Sequence, residues 1–237
     1  MTFPQQTLAH VRGTRPWQRR RSSLQRDFLT GLTLHGLTPH DGALDDVDRF
    51  YGTPPTADNL HTGGPLDRGR LLLQHAYQQA TGDSPAEPVM ALGWLESRGI
   101  SGRHLDIGSG VGVTNQLFVH HGWSSSLAEV STPVLDFARF RLGRRGVAAH
   151  MIDLSVDKGL PERRFDAITA FRVFAHVRDV EGAARMVCSA LAPRGTLFVE
   201  KRRHTDSGQP HPIGPVLRGL GLRPLRSAGP VAMYRAA

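Results

Sequence analysis

The sequence predicts an α/β fold built on a mostly parallel sheet, and three observations carry the prediction. After Gly102, short β-prone runs alternate with helical stretches, the pattern of consecutive strand–helix–strand units. The first of these strands runs into a glycine-rich turn containing Gly108, Gly110 and Gly112. Finally, only Ala228, Gly229 and Pro230 separate the last two β-prone runs. That is too short for a parallel crossover, so those two strands form an antiparallel hairpin.

The elements follow in order. Arg12, Arg15, Arg19, Arg20, Arg21 and Arg26 lie in a stretch with little apolar periodicity, which reads as a solvated or partly helical arm over residues 1–35. Arg20 and Arg21 do not make a twin-arginine export signal, because residues 22–26 are polar where such a signal is apolar. Residues 36–64 are rich in Gly, Pro, Asp and Thr and read as turns. Two helices are then expected: residues 66–80, with Leu71, Leu72, His75, Ala76 and Gln79 near helical spacing, and residues 88–97, with Val89, Leu92 and Leu95 on one face. The core domain occupies 101–237, with strands at 104–107, 126–128, 148–152, 167–170, 196–200, 222–227 and 231–235. Its helices fall at 114–121, 132–144, 180–191 and 212–220. No repeat of 20 to 50 residues is present.

Composition narrows the function classes. With 237 residues, 39% apolar and 21% charged, the chain has an ordinary globular balance, which excludes a disordered or fibrous protein. No apolar run approaches the roughly 20 residues that span a bilayer, and no apolar segment follows the basic start, so a cytoplasmic protein is expected. Cys188 is the only cysteine, which rules out an internal disulfide and a cysteine-cluster metal site; no metal is expected. The net charge of +8 comes from the second half, where 19 basic residues face 11 acids, while the first 100 residues balance 10 against 10. Lys158 and Lys201 are the only lysines, and the Arg, Gly, Ala and Pro bias is consistent with GC-rich coding.

The chemistry concentrates at the glycine turn, read as Asp106, Gly108, Ser109, Gly110 and Gly112 at a strand-to-helix junction. Glycines let a backbone pass close to a ligand, and the next helix presents free N–H groups. The dinucleotide fingerprint requires glycine where this chain has Val113, so the spacing is Asp-x-Gly-x-Gly-x-Gly instead. Glu129 ends the second strand, 23 residues after Asp106, where a carboxylate accepts both hydroxyls of a ribose. Asp153 ends the third, placed to accept from an exocyclic adenine amine. Acids at the carboxyl ends of consecutive parallel strands face the crevice where open α/β sheets bind ligands.

From Arg103 to Ala237 the chain resembles the class I S-adenosylmethionine-dependent methyltransferases. The resemblance implies a Rossmann-like sheet of seven strands in the order 3-2-1-4-5-7-6, with the last strand antiparallel, helices on both faces and an N-terminal helical lid over residues 36–100. It implies S-adenosylmethionine as cofactor, cradled at its methionyl part by the loop of Asp106, Gly108, Ser109, Gly110 and Gly112. Glu129, followed by Val130, corresponds to the acid that grips the ribose, and Asp153 with Leu154 to the pair at the adenine edge. Residues 165–170 match the fourth-strand motif, residues 171–179 the histidine-containing segment after it, and residues 191–196 the proline–glycine turn before strand five. Two places depart from the pattern. Phe171 stands where relatives carry Asn or a small polar residue, so an aromatic there lines the donor or an apolar acceptor, and Arg194 replaces the first glycine of the turn.

Methyl transfer is an in-line displacement, so holding the two partners in line and excluding water matter more than a strong base. His176, just beyond strand four, is the first candidate base, with capping or packing at the start of the next helix as its other role. His61, preceded by Tyr51, is the second; residues 59–63 resemble the lid segment of small-molecule methyltransferases, with a plain loop as their other reading. Without a long insertion after strand five, the cover of the crevice comes from residues before 100. This arrangement resembles enzymes that methylate small molecules at O or N, including those that tailor secondary metabolites, so a small-molecule acceptor is expected. A nucleic-acid methyltransferase is disfavoured. Arg139, Arg141, Arg144 and Arg145 read as a solvated helix face, Lys201 to Arg203 is a short run, and at 7% aromatic residues the interleaved rings that stack bases are lacking. A catalytically silent donor-binding subunit is the third class. The first 50 residues offer an arm for a homodimer.

Overall fold

The structure, a computed structural model, describes residues 87–130, 132–157, 159–201 and 213–237. The arm at 1–35, the cover up to residue 86 with Tyr51 and His61, and most of the connector after Lys201 lie outside the described residues. Helix α1 spans Glu87–Glu96. The alternating part follows as β1 (Arg103–Ile107), α2 (Val113–His120), β2 (Ser124–Glu129), α3 (Thr132–Arg144), β3 (His150–Asp153), β4 (Phe165–Ala170), α4 (Val180–Ala190), β5 (Leu191–Glu200), α5 (Ile213–Gly219), β6 (Arg223–Ala228) and β7 (Val231–Arg235).

The seven strands form one sheet in the order β3-β2-β1-β4-β5-β7-β6. Strands β1 to β5 pair in parallel, and β7 runs antiparallel to both β5 and β6. The expected hairpin is present: Ala228 faces Val231 across Gly229 and Pro230. Strand β6 is the exposed edge, and its Pro224 and arginines discourage pairing with another sheet. Among the described residues, no helix is long and apolar enough to cross a membrane.

Connection geometry decides which helix covers which face. The chain steps from β1 to β2 to β3 in one direction, then returns to β4 and β5 on the other side of β1. Right-handed crossovers therefore send α2 and α3 to one face and α4 to the other, and leave a crevice above the carboxyl ends of β1 and β4. On the first face Leu117 and Phe118 of α2 pack with Ala167, Phe198 and Met233, while Leu135, Ala138 and Leu142 of α3 cover Leu127. On the second, Ala184, Val187 and Ala190 of α4 and Leu217 of α5 meet Leu105, Ile107, Ile168 and Leu197.

Helix α1 belongs with this sheet. Val89, Met90, Leu92, Trp94 and Leu95 are buried in the cluster formed by α2 and the sheet, and the Trp94 ring meets Phe198 edge-on at 5.7 Å. A helix apolar on nearly every side needs cover on nearly every side, so Glu87–Glu96 packs as part of the same unit as the sheet. Strand β5 also differs from expectation. It begins at Leu191 directly after α4, and its register with β4 jumps from Phe165↔Leu191 to Ala167↔Thr196. Of the residues expected as a turn, 191–196, Leu191 and Thr196 pair with β4 and residues 192–195 form a bulge inside the strand. Arg194 occupies it at φ 62°, in the left-handed region that favours glycine.

Candidate functional site

The glycine loop between β1 and α2 is shaped by contacts that exclude side chains. Gly108 has φ 64°, and its N–H donates to the Ala128 carbonyl at 2.8 Å. A Cβ there would lie 2.8 Å from a Val173 methyl. Gly112, at φ 78°, caps α2 without a side chain, and its N–H closes the turn on the Ser109 carbonyl at 3.0 Å. The loop is also tied from α3. Arg141, fully buried, donates to the Val111 carbonyl at 2.7 Å. Sequence reading put Arg141 on a solvated helix face; the structure turns it inward to hold the loop. Ser109 is buried as well, and its hydroxyl has no hydrogen-bond partner among the described residues.

The acids lie on one face of the sheet. Parallel partners point the same way, so Asp106↔Leu127 and Glu129↔Asp153 place all three carboxyls on the α2–α3 side. Glu129 is anchored to the loop: Oε2 accepts from the Gly110 N–H at 3.1 Å and Oε1 from the Val130 N–H at 2.8 Å. Beside it, Asp153 Oδ1 accepts from the N–H and hydroxyl of Ser155. Leu154 packs on the core and ties the two strand ends, donating its N–H to the Glu129 carbonyl at 2.9 Å. Val130 is 68% exposed at the rim.

Asp106 sits deeper. It is 4% exposed, paired in register with Leu127, two residues short of Glu129. Burial pushes its carboxyl up to about 7; hydrogen bonds from Thr169 and Thr114 pull the other way, and the Glu129 charge adds to the rise. Thr169 Oγ1 donates to Asp106 Oδ1 at 2.6 Å. Behind Thr169 lies a polar group that sequence reading missed: His104, Ser125 and Asn115, all buried. The His104 ring stacks on Phe118 with centroids 3.6 Å apart, and burial pushes it down to about 3, which keeps it neutral. The available signal was a polar residue at an inward position of each of β1, β2 and β4.

The segment after β4 meets the loop from the other side. Val173 touches Gly108, and the His176 N–H donates to the Val173 carbonyl at 3.0 Å, so the turn bearing His176 is pinned beside the glycines. The His176 side chain is exposed. Phe171 is half-buried and packs against the α1–α2 cluster. Next to it Arg172 has φ 60°, a strained backbone of the kind found at binding sites. Asp179 caps α4, its carboxylate accepting from the Gly182 N–H at 2.8 Å. His61 lies outside the described residues. Cys188 is half-buried, and burial pushes its thiol up to about 11, which disfavours the nucleophilic thiolate.

The chain is 26% identical over 134 residues to a ubiquinone biosynthesis O-methyltransferase of Xanthomonas axonopodis pv. citri, a match covering 53% of this chain and 56% of that protein. The chain therefore spans little more than half the length of this curated relative. In fold it is similar to a TehB-like S-adenosylmethionine-dependent methyltransferase from Corynebacterium glutamicum, with a TM-score of 0.58 and 18% identity over 73% of this chain and 100% of that one. It is also similar to the 1,6-didemethyltoxoflavin N1-methyltransferase of Burkholderia thailandensis, whose structure holds S-adenosylhomocysteine, with a TM-score of 0.52 and 17% identity over 74% and 92% of the two chains. The profile of a family described as a methyltransferase domain matches residues 73–219, more than half of the sequence. On that match the chain belongs to the methyltransferase-domain family, and its 3-2-1-4-5-7-6 sheet with a glycine loop at the switch point is similar in fold to the methyltransferase structures above.

Proposed function

We propose that this protein transfers the methyl group of S-adenosylmethionine to an oxygen or nitrogen of a small-molecule acceptor, as in the tailoring of a secondary metabolite. The observation that carries the reading is Glu129, held by the N–H groups of Gly110 and Val130 and paired in register with Asp153 above the glycine loop. The residues fit the donor. Gly108 leaves a cradle that a side chain would fill, and the buried Ser109 hydroxyl lacks a partner among the described residues. In this reading Asp106, Gly108, Ser109, Gly110 and Gly112 hold the methionyl part and Glu129, with Val130 beside it, holds the ribose. Asp153 and Leu154 border the adenine, and Phe171 borders the sulfur end.

When bound, the donor supplies an electrophilic methyl carbon on a positively charged sulfur. The protein's work is to fix the loop, align the acceptor and shed water, and alignment alone lowers such barriers by roughly 7–11 kcal/mol. His176, on the turn pinned against Gly108, takes the proton that an acceptor O–H or N–H releases. The relatives support a small acceptor by what their names state for them, an O-methyltransferase of ubiquinone biosynthesis and an N1-methyltransferase of 1,6-didemethyltoxoflavin. The described surface points the same way. Its exposed large apolar side chains are Val130, Val156 and Leu225, and among the described residues no Phe, Tyr or Trp ring is exposed for a base to stack on.

The test is a screen of hydroxylated and amino-bearing small molecules, and in parallel RNA, with the purified full chain and S-adenosylmethionine. Product is read as a gain of one methyl and as released S-adenosylhomocysteine. Methylation of a small molecule, with turnover nearly independent of salt, is expected. Turnover on RNA alone that collapses as salt rises would replace the proposal, and donor binding without S-adenosylhomocysteine release on any acceptor would reduce the chain to a donor-binding subunit.

A further inference from the structure

The polar group under the glycine loop has a direction that can be worked out from its far end. Asn115 Nδ2 lies 2.7 Å from the Ser126 carbonyl, which only accepts, so the amide nitrogen must face it. The same nitrogen lies 2.8 Å from Ser125 Oγ and donates to it. Ser125 then gives its own proton to His104 Nδ1, 2.8 Å away. With Nδ1 bare, the neutral ring carries hydrogen on Nε2 and donates to Thr169 Oγ1 at 2.9 Å. Thr169 in turn donates to Asp106 Oδ1 at 2.6 Å. Every hydrogen in the series points toward Asp106. The reverse order would leave the Ser125 hydroxyl without an acceptor in the series, because its oxygen would receive from both Asn115 and His104.

We propose that His104 is a positioning residue for the donor site: through Thr169 it holds Asp106 as the terminal acceptor of this one-way chain, and so favours the ionised form of the carboxylate under the loop that receives a cationic donor. The inference rests on the reading that Asp106 belongs to the donor site. Burial raises the pH at which a carboxyl gives up its proton, and a series of aligned donors that ends on it lowers that pH again, because each bond polarises the next. The groups that act on Asp106 are Thr169 from β4 and Thr114 from α2, which favour the charge, and Glu129 from β2, which opposes it. On α3, Arg141 is engaged with the Val111 carbonyl. His104 is neutral, and its contribution is the Nε2–H that orients Thr169.

The experiment measures S-adenosylmethionine affinity by calorimetry across pH for the full chain and its variants. His104→Phe keeps the stack on Phe118 and deletes both nitrogens. Wild type is expected to bind more weakly as acidity protonates Asp106. His104→Phe moves that midpoint up by about one pH unit, a loss of about fivefold at neutral pH that vanishes near about pH 9. His104→Gln, which restores an N–H donor, returns the midpoint toward wild type. Thr169→Val shifts it at least as far, and adding His104→Phe to Thr169→Val shifts it no further. Equal weakening at every pH, or no change at any, overturns the proposal. Should His104→Phe fail to fold, Thr169→Val and ¹⁵N-histidine NMR of the wild type decide: an Nδ1–H tautomer, or a charged His104 ring in mildly acidic solution, overturns it. Asp106→Asn separates the two readings. If it binds donor as wild type does, the placement of Asp106 in the donor site fails and the relay with it. If it binds weakly while His104→Phe shows no pH shift, only the relay fails.

Discussion

Glu129 receives two backbone N–H groups from the segments it joins, so its carboxylate is oriented before any ligand arrives. Glu129→Ala therefore weakens S-adenosylmethionine binding by about 1.5–3 kcal/mol, the value of hydrogen bonds to a charged group, checked by calorimetric titration. Unchanged affinity would remove the ribose role. His176→Ala separates differently, since its exposed ring contributes to turnover while its backbone N–H shapes the turn beside Gly108. The turnover number falls by about 10²- to 10⁴-fold with donor affinity unchanged if His176 is the base; survival of turnover leaves it a packing residue. The place of Glu129 was legible in sequence because it stands at a strand end, where position alone restricts its use. His104, Ser125 and Thr169 were not, because a polar residue inside a β-prone run reads equally as a solvent-facing position. Only the register that sets His104 against Ser125, and Asp106 against Thr169, brings them together.

At the level of elements, alternation of strand and helix was legible because apolar period and glycine punctuation agree, and the hairpin because a three-residue gap permits nothing else. The start of β5 was not. A proline, an arginine and a glycine before a β-prone run read as a turn, yet Leu191 already pairs with Phe165, and residues 192–195 bulge within the strand. The bulge places Arg194 at φ 62°, and a non-glycine residue in the left-handed region costs roughly 1–2 kcal/mol. Glycine there removes that cost and adds freedom to the unfolded chain worth part of it. Arg194→Gly is therefore expected to stabilise the protein by about 0.5–1 kcal/mol, seen as a higher urea midpoint with unchanged slope. A lower midpoint would mean that the arginine side chain contributes more than its backbone costs.

Across the whole molecule, composition misled on charge and informed on architecture. The tract of Arg139, Arg141, Arg144 and Arg145 reads as one basic face, but Arg141 is buried under the glycine loop. The assignment of helices to faces depends on strand order, which no local pattern contains and which the family resemblance supplied correctly. The same tertiary arrangement couples two buried titratable groups with opposite effects on stability. Folding lowers His104 from 6.5 to about 3, so the unfolded state holds the extra proton between those values, and this contribution to stability falls as pH drops through that window. Folding raises Asp106 from 3.8 to about 7, so the folded state holds the extra proton, and its contribution is present at low pH and lost as pH rises toward 7. Near pH 5 the folded pair carries one proton on Asp106 and the unfolded pair one on histidine, so the two slopes cancel in the wild type. Each single variant exposes the other partner. Measured against wild type by urea unfolding between about pH 4.5 and 6, His104→Phe loses stability as pH rises and Asp106→Asn gains it, each by up to about 1.4 kcal/mol per pH unit, the value for one proton. Parallel pH curves for the three proteins would show that the pair does not exchange its proton on folding.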